Sequence, residues 1–146
     1  MTVWFDMDGT ISDLYGVENW LEKLQSSNPE PYAFASVMVN MSLLARYLNK
    51  IQKNGYSIGI ISWLSKNSTD EYDELVTEAK LTWLKIHLKS VTWNEINIVK
   101  YGTPKSSFMN DNEDILFDDE EKNRIEWGNN SYSPEMIIEV LKKLAA

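Results

Sequence analysis

Residues 3–11 read Val3-Trp4-Phe5-Asp6-Met7-Asp8-Gly9-Thr10-Ile11: three apolar residues, two aspartates one residue apart, then a glycine and a hydroxyl. The stretch Thr2 to Phe5 reads as a buried strand, ended by the Asp-Gly pair. Such a strand carries two carboxylates to its own C-terminal end, as a turn, a cation loop or a reaction centre. A calcium loop of the EF-hand kind needs glycine at its sixth place and glutamate at its twelfth. Here Gly9 is fourth counting from Asp6 and the twelfth residue is Val17, so that reading fails. A phosphate-binding P-loop is excluded too, because no glycine-rich run ends in Gly-Lys-Ser/Thr.

Outward from this stretch, apolar runs alternate with helical patterns. Leu14, Val17, Trp20, Leu21 and Leu24 recur at helical spacing before Ser26 to Pro31 breaks the pattern. A second helix is expected from Phe34 to Ile51, closed by Asn54-Gly55. Tyr56 to Ile61 is a strand-length apolar run, and Asn67 to Thr69 opens another helix. Val91 to Val99 and Ile115 to Phe117 read as strands, and Ser133-Pro134 starts a last helix. Strands that are apolar throughout and alternate with helices imply a parallel sheet covered on both faces. Ligands bind beyond the carboxyl ends of such strands. Four ends then converge: Asp6-Met7-Asp8, Ser62, the loop Tyr101 to Lys105, and Asp118-Asp119.

These residue types suit attack on a phosphate monoester. Two anions repel, so positive charge must sit on the phosphoryl oxygens. Asp6 could attack phosphorus and form an aspartyl phosphate. Asp8 could give a proton to the departing alkoxide and later take one from water. Gly9 permits the sharp turn, and Thr10 places a hydroxyl and backbone amides near the phosphate. Asp118 and Asp119 would hold magnesium, which prefers oxygen ligands. Ser62 and Lys105 would hydrogen-bond the phosphoryl oxygens.

The constellation resembles the phosphatases of the haloacid dehalogenase superfamily. Four motifs match in order: residues 3–10 as hhhDxDGT, then Ile58-Gly59-Ile60-Ile61-Ser62, then a basic residue best matched by Lys105, then Ile115-Leu116-Phe117-Asp118-Asp119. Ser65 and Lys100 are the nearby rivals for the second and third roles. The resemblance implies a three-layer Rossmann-like α/β fold with a parallel sheet, Asp6 as nucleophile and Asp8 as acid/base. It also implies magnesium on the Asp6 carboxylate, the Asp8 carbonyl and Asp118. An aspartate at position 8 is the mark of phosphatases and some phosphotransferases, not of dehalogenases or phosphonatases. Many members insert a helical cap where residues 13–54 lie; here that cap is minimal, within a single domain spanning 1–146. The stretch Leu116 to Trp127 also resembles small phage-type and 5′-deoxynucleotidase-like members.

Composition bounds this reading. The 146 residues are 43% hydrophobic and 25% charged, ordinary values for one globular domain. No apolar run approaches the roughly 20 residues of a membrane span, and no signal peptide is visible. There are no cysteines, so disulfides and thiolate metal sites are excluded and a cytoplasmic setting is expected. A formal charge of −8 argues against non-specific nucleic-acid binding. Asp111, Glu113, Asp114, Glu120 and Glu121 read as a solvated acidic face, His87 as surface or structural, and the tryptophans as core. Trp63, beside Ser62, could instead stack on a substrate ring. The expected partner is a small phosphorylated substrate, a nucleotide among the candidates, with homo-oligomerisation as a means of covering the site. The alternative is a module of the same fold that binds a protein or nucleic-acid partner with little catalysis.

Overall fold

A computed structural model describes residues 1–146. The apolar stretch Thr2–Phe5 forms strand β1 and is buried throughout. Two short strands, β2 (Ser12–Asp13) and β3 (Ser36–Val37), pair antiparallel and frame helices α1 (Trp20–Gln25) and α2 (Glu30–Phe34). Then follow α3 (Met41–Lys53), β4 (Ser57–Trp63), α4 (Asp70–His87), β5 (Glu95–Val99), β6 (Ile115–Phe117), α5 (Glu121–Trp127), β7 (Ser131–Tyr132) and α6 (Ile137–Ala145). The main sheet has five strands in the order β5-β4-β1-β6-β7, every pair parallel. From β1 the chain moves outward through β4 to β5, then crosses back to β6 and β7 on the other side. The two halves therefore part at the C-terminal end of β1, where open parallel sheets bind ligands. The expected α/β architecture, a parallel sheet between helical layers, is the one observed.

Side chains along the central strands divide between two faces. Val3, Phe5, Ile58, Ile60, Ile115 and Phe117 pack against α3, α6 and the C-terminal half of α4. Trp4, Ile61 and Leu116 face the other way, onto Trp127 of α5. Gly59 in β4 makes room for Trp4, because a Cβ there would collide with the indole ring. No helix is long and apolar enough to cross a membrane.

Several expected elements differ. The helix expected around Leu14 to Leu24 is a single 3-10 turn at Leu14–Gly16 and a short α1. Asn19, with φ of 57°, lies in the left-handed region and separates the two. The helix expected from Phe34 begins only at Met41, where the Asn40 side chain accepts from the Leu43 amide as an N-cap. The preceding residues pair as β3 instead. Helix α5 and strand β7 were not expected, because charges obscure the short apolar stripe of α5.

Asp114, read as part of a solvated acidic face, is fully buried. Its carboxylate accepts from the amides of Thr2, Asn110 and Asp111 and from Trp4 Nε1 at 2.7–3.3 Å. It thereby ties the start of β1 to the turn that leads into β6. Asp114→Ala strands those donors and is expected to lower stability by about 3 kcal/mol. Urea unfolding checks this; an unchanged midpoint would contradict the role.

Candidate active site

The site is built at the end of β1. Gly9, with φ of 80°, reverses the chain there, and a Cβ at this position would run into the Asp119 carboxylate and the Tyr15 ring. The reversal leaves Asp6 facing the end of β6, which carries Asp118 and Asp119. Carboxylate oxygens of Asp6, Asp118 and Asp119 all lie within 4.8 Å of one another. Lys105, in the 3-10 turn Lys105–Phe108, enters the same space and is buried. Its ammonium donates to Asp6 Oδ1 at 2.8 Å and to Asp118 Oδ2 at 2.7 Å. Asn123 of α5 donates to the same Asp118 oxygen at 3.1 Å, and the Glu120 amide caps the other at 2.9 Å. Lys100 does not take part: it sits on the surface, paired with Asp70 and Asp73.

The hydroxyls of Thr10 and Ser62, expected at the phosphate, are both fully buried behind the carboxylates. Thr10 Oγ1 donates to Asp6 Oδ2 at 2.9 Å and accepts from the Asp119 amide at 3.2 Å. Ser62 Oγ accepts from Lys80 Nζ at 2.6 Å. Ser65, the rival serine, does line the cleft, with its hydroxyl 2.5 Å from Tyr32 OH. Asp8 lines the same cleft but is not one of the three clustered carboxylates, and its Oδ2 accepts from Lys80 at 2.9 Å. Its carboxylate therefore stands apart from the three that could share an ion.

Lys80 is the residue that motif reading missed. It occupies the buried stripe of α4 with Val76, Ala79, Trp83 and Leu84. A lysine at a stripe position three and four residues from apolar partners was the available signal, since such a side chain must find polar partners inside.

The electrostatics are those of crowded acid groups. Burial, reinforced by the Asp6 charge, pushes Asp118 up to about 6 and Asp119 up to about 8. Burial also lifts the Asp8 carboxyl above its ordinary range, even against the adjacent Lys80 ammonium. For Lys105 burial acts to lower the pKa, but the Asp6 and Asp118 charges outweigh it and hold the ammonium above its ordinary value. One cation thus faces three carboxylates, a donor set of hard oxygens that fits a magnesium ion.

That crowding has a consequence for stability. A carboxyl whose pKa is raised by folding binds protons more tightly in the folded state than in the unfolded one. Its contribution is complete below the unfolded value of 3.8 and is lost as pH rises through the folded values of about 6 and about 8. The melting temperature of metal-free protein is expected to fall by several degrees between pH 5 and 8.5, and magnesium should largely remove the slope. Thermal melts with EDTA or with magnesium check it; a flat metal-free profile would contradict it.

A cleft of about 570 Å³ opens above the carboxylates, within the usual range for small-ligand sites. Tyr15, Trp20, Tyr32, Trp63, Tyr72 and Tyr101 contribute to its walls, together with Lys66, Asn67 and Ser68. Tyr15 meets Trp20 edge to face at 4.9 Å, and Trp63 packs on Tyr101 at 5.0 Å. The Lys105 ammonium lies 5.3 Å from the Trp63 ring centroid. The Trp63 indole is fixed, donating to the Thr103 carbonyl at 2.8 Å.

No protein-family model matches the chain, and no curated protein matches it. Among solved structures it is similar to the crystal structure of D,D-heptose 1,7-bisphosphate phosphatase from Burkholderia thailandensis. The TM-score is 0.56 at 11% sequence identity, over 99% of this chain and 98% of that one. At this identity the likeness is one of fold, a parallel sheet between helical layers.

Proposed function

We propose that the protein is a magnesium-dependent phosphomonoester hydrolase of the haloacid dehalogenase type, acting through an aspartyl phosphate on Asp6. The observation that carries this reading is the meeting of Asp6, Asp118 and Asp119 around Lys105 at the end of the central strand. Three carboxylates beside one ammonium repel one another strongly, which suits a site that takes up a dication and a phosphate together. Asp6, Asp118 and Asp119 would hold the magnesium ion, with the Asp8 carbonyl as a further oxygen. When bound, the ion would neutralise charge on the phosphoryl oxygens.

The chain's own residues supply the rest. An Asp6 carboxylate oxygen attacks phosphorus, and the bond from phosphorus to the ester oxygen breaks. Asp8, whose carboxyl burial favours in its protonated form, gives its proton to the departing oxygen, so an alcohol leaves. Water then attacks phosphorus, its proton passes to Asp8, and the bond from phosphorus to Asp6 breaks to release phosphate. Lys105 offsets charge on the phosphoryl oxygens while anchoring Asp6. Residues 14–40 form the minimal cap in this reading, and α3, which packs with α6 on the sheet, belongs to the core. The aromatic walls, Trp63 above all, favour a substrate with a planar ring, such as a nucleotide.

A phosphate-release screen over nucleotides, sugar phosphates and a phosphopeptide tests this. Turnover with magnesium and none with EDTA is expected, highest on a small ester. Silence on every substrate would favour the binding-module alternative.

A further inference from the structure

Buried inside α4, Lys80 has 1% of its side chain exposed, too little to touch a substrate. Its ammonium carries three protons and meets three acceptors: Asp8 Oδ2 at 2.9 Å, Ser62 Oγ at 2.6 Å and the Trp63 carbonyl at 2.7 Å. The Tyr32 ring, with its centroid 4.9 Å away, covers it. Two of the acceptors belong to the end of β4, and the third is the side chain read above as acid and base. Fully buried lysines are rare unless paired, since desolvating the charge is costly unless its protons find partners. Here every proton does, and one partner is Asp8.

Resting on the phosphatase reading, we infer that Lys80 is a positioning residue that fixes the Asp8 carboxyl for proton transfer to the leaving group, itself held by Ser62 and the Trp63 carbonyl. Ser62 then acts behind the site, as the anchor of the lysine, and not as a direct phosphate ligand. The geometry supports this order, because neither Ser62 nor Lys80 lines the cleft whereas Asp8 does. A clamp of this kind keeps the acid aimed without occupying space that a substrate needs.

The role has a signature that a general packing defect lacks. A nitrophenolate departs as a stable anion with little need of a proton, whereas an alkoxide must be protonated as it leaves. The comparison belongs in kcat/KM, which covers steps only up to departure of the alcohol; the later attack by water is common to both substrates. In Lys80→Met, kcat/KM for an alkyl phosphate is expected to fall by about 10²-fold or more, and for 4-nitrophenyl phosphate by less than about tenfold. Ser62→Ala should show a smaller loss with the same bias. Combined with Lys80→Met it should add little, because serine acts through the lysine.

Equal losses on both substrates, no loss, or fully multiplicative effects of the two substitutions would overturn the inference. Should Lys80→Met not fold, Lys80→Arg and Ser62→Ala carry the same test. Arginine keeps the charge on a planar head that cannot reproduce the three contacts, so the same bias is expected. A wild-type protein inactive on both substrates would overturn the phosphatase reading and this inference together. An active wild type whose variants lose both substrates alike would overturn this inference alone.

Discussion

Asp6→Asn is expected to lower turnover of any phosphomonoester by on the order of 10⁴-fold or more, while the protein stays folded. The amide cannot attack phosphorus, and it presents a donor either to the Lys105 ammonium or to the Thr10 hydroxyl, both of which now donate to Asp6. Stability should move the other way. Asp6 raises the pKa values of Asp118 and Asp119 by its charge, so removing that charge relieves the crowding in metal-free protein. A melting temperature at pH 8 equal to or above wild type, together with abolished hydrolysis, is the expected pair. Lost activity with a collapsed fold would instead make Asp6 structural.

Lys105→Met is expected to act in the opposite sense on stability. It removes the cation that Asp6 and Asp118 share, in a place where all three side chains are buried. Breaking a buried ion pair from one side leaves uncompensated charge and typically costs about 3–5 kcal/mol. The loss should be largest in metal-free protein above pH 8, where the carboxyls can no longer escape by protonation. Magnesium should recover part of it without restoring hydrolysis. Urea unfolding with and without magnesium checks this, and an undiminished midpoint at pH 8.5 in EDTA would contradict it.

Much of this was legible in the sequence because charge and apolarity sit side by side at strand ends. Asp6, Lys105, Asp118 and Asp119 come together in space as their positions after apolar strands implied. The sheet was readable for the same reason: β1, β4 and β6 are short apolar runs with no competing helical period. Elements whose form is set by tertiary contacts were not. Residues 36–37 join β3 because Ser12–Asp13 lies opposite, and nothing in their own composition selects a strand. The acidic run after residue 110 hid both α5 and the buried role of Asp114, since an acid that accepts from backbone amides looks like a solvated one in sequence. Lys80 was hidden because its partners, Asp8 and Ser62, are 72 and 18 residues away. Motif reading assigned Ser62 a place against phosphate, whereas its hydroxyl is turned onto that lysine.

The proposed mechanism turns on an aspartyl phosphate at Asp6, and that intermediate can be trapped directly. Protein turning over a phosphomonoester with magnesium is quenched with borohydride, which reduces an acyl phosphate to the alcohol, and the peptide holding residues 1–23 is sequenced by mass spectrometry. Homoserine at position 6, dependent on substrate and absent when borohydride is omitted, is the expected result. Rapid phosphate release with Asp6 wholly unmodified, or with the reduced residue elsewhere, would contradict nucleophilic attack by Asp6.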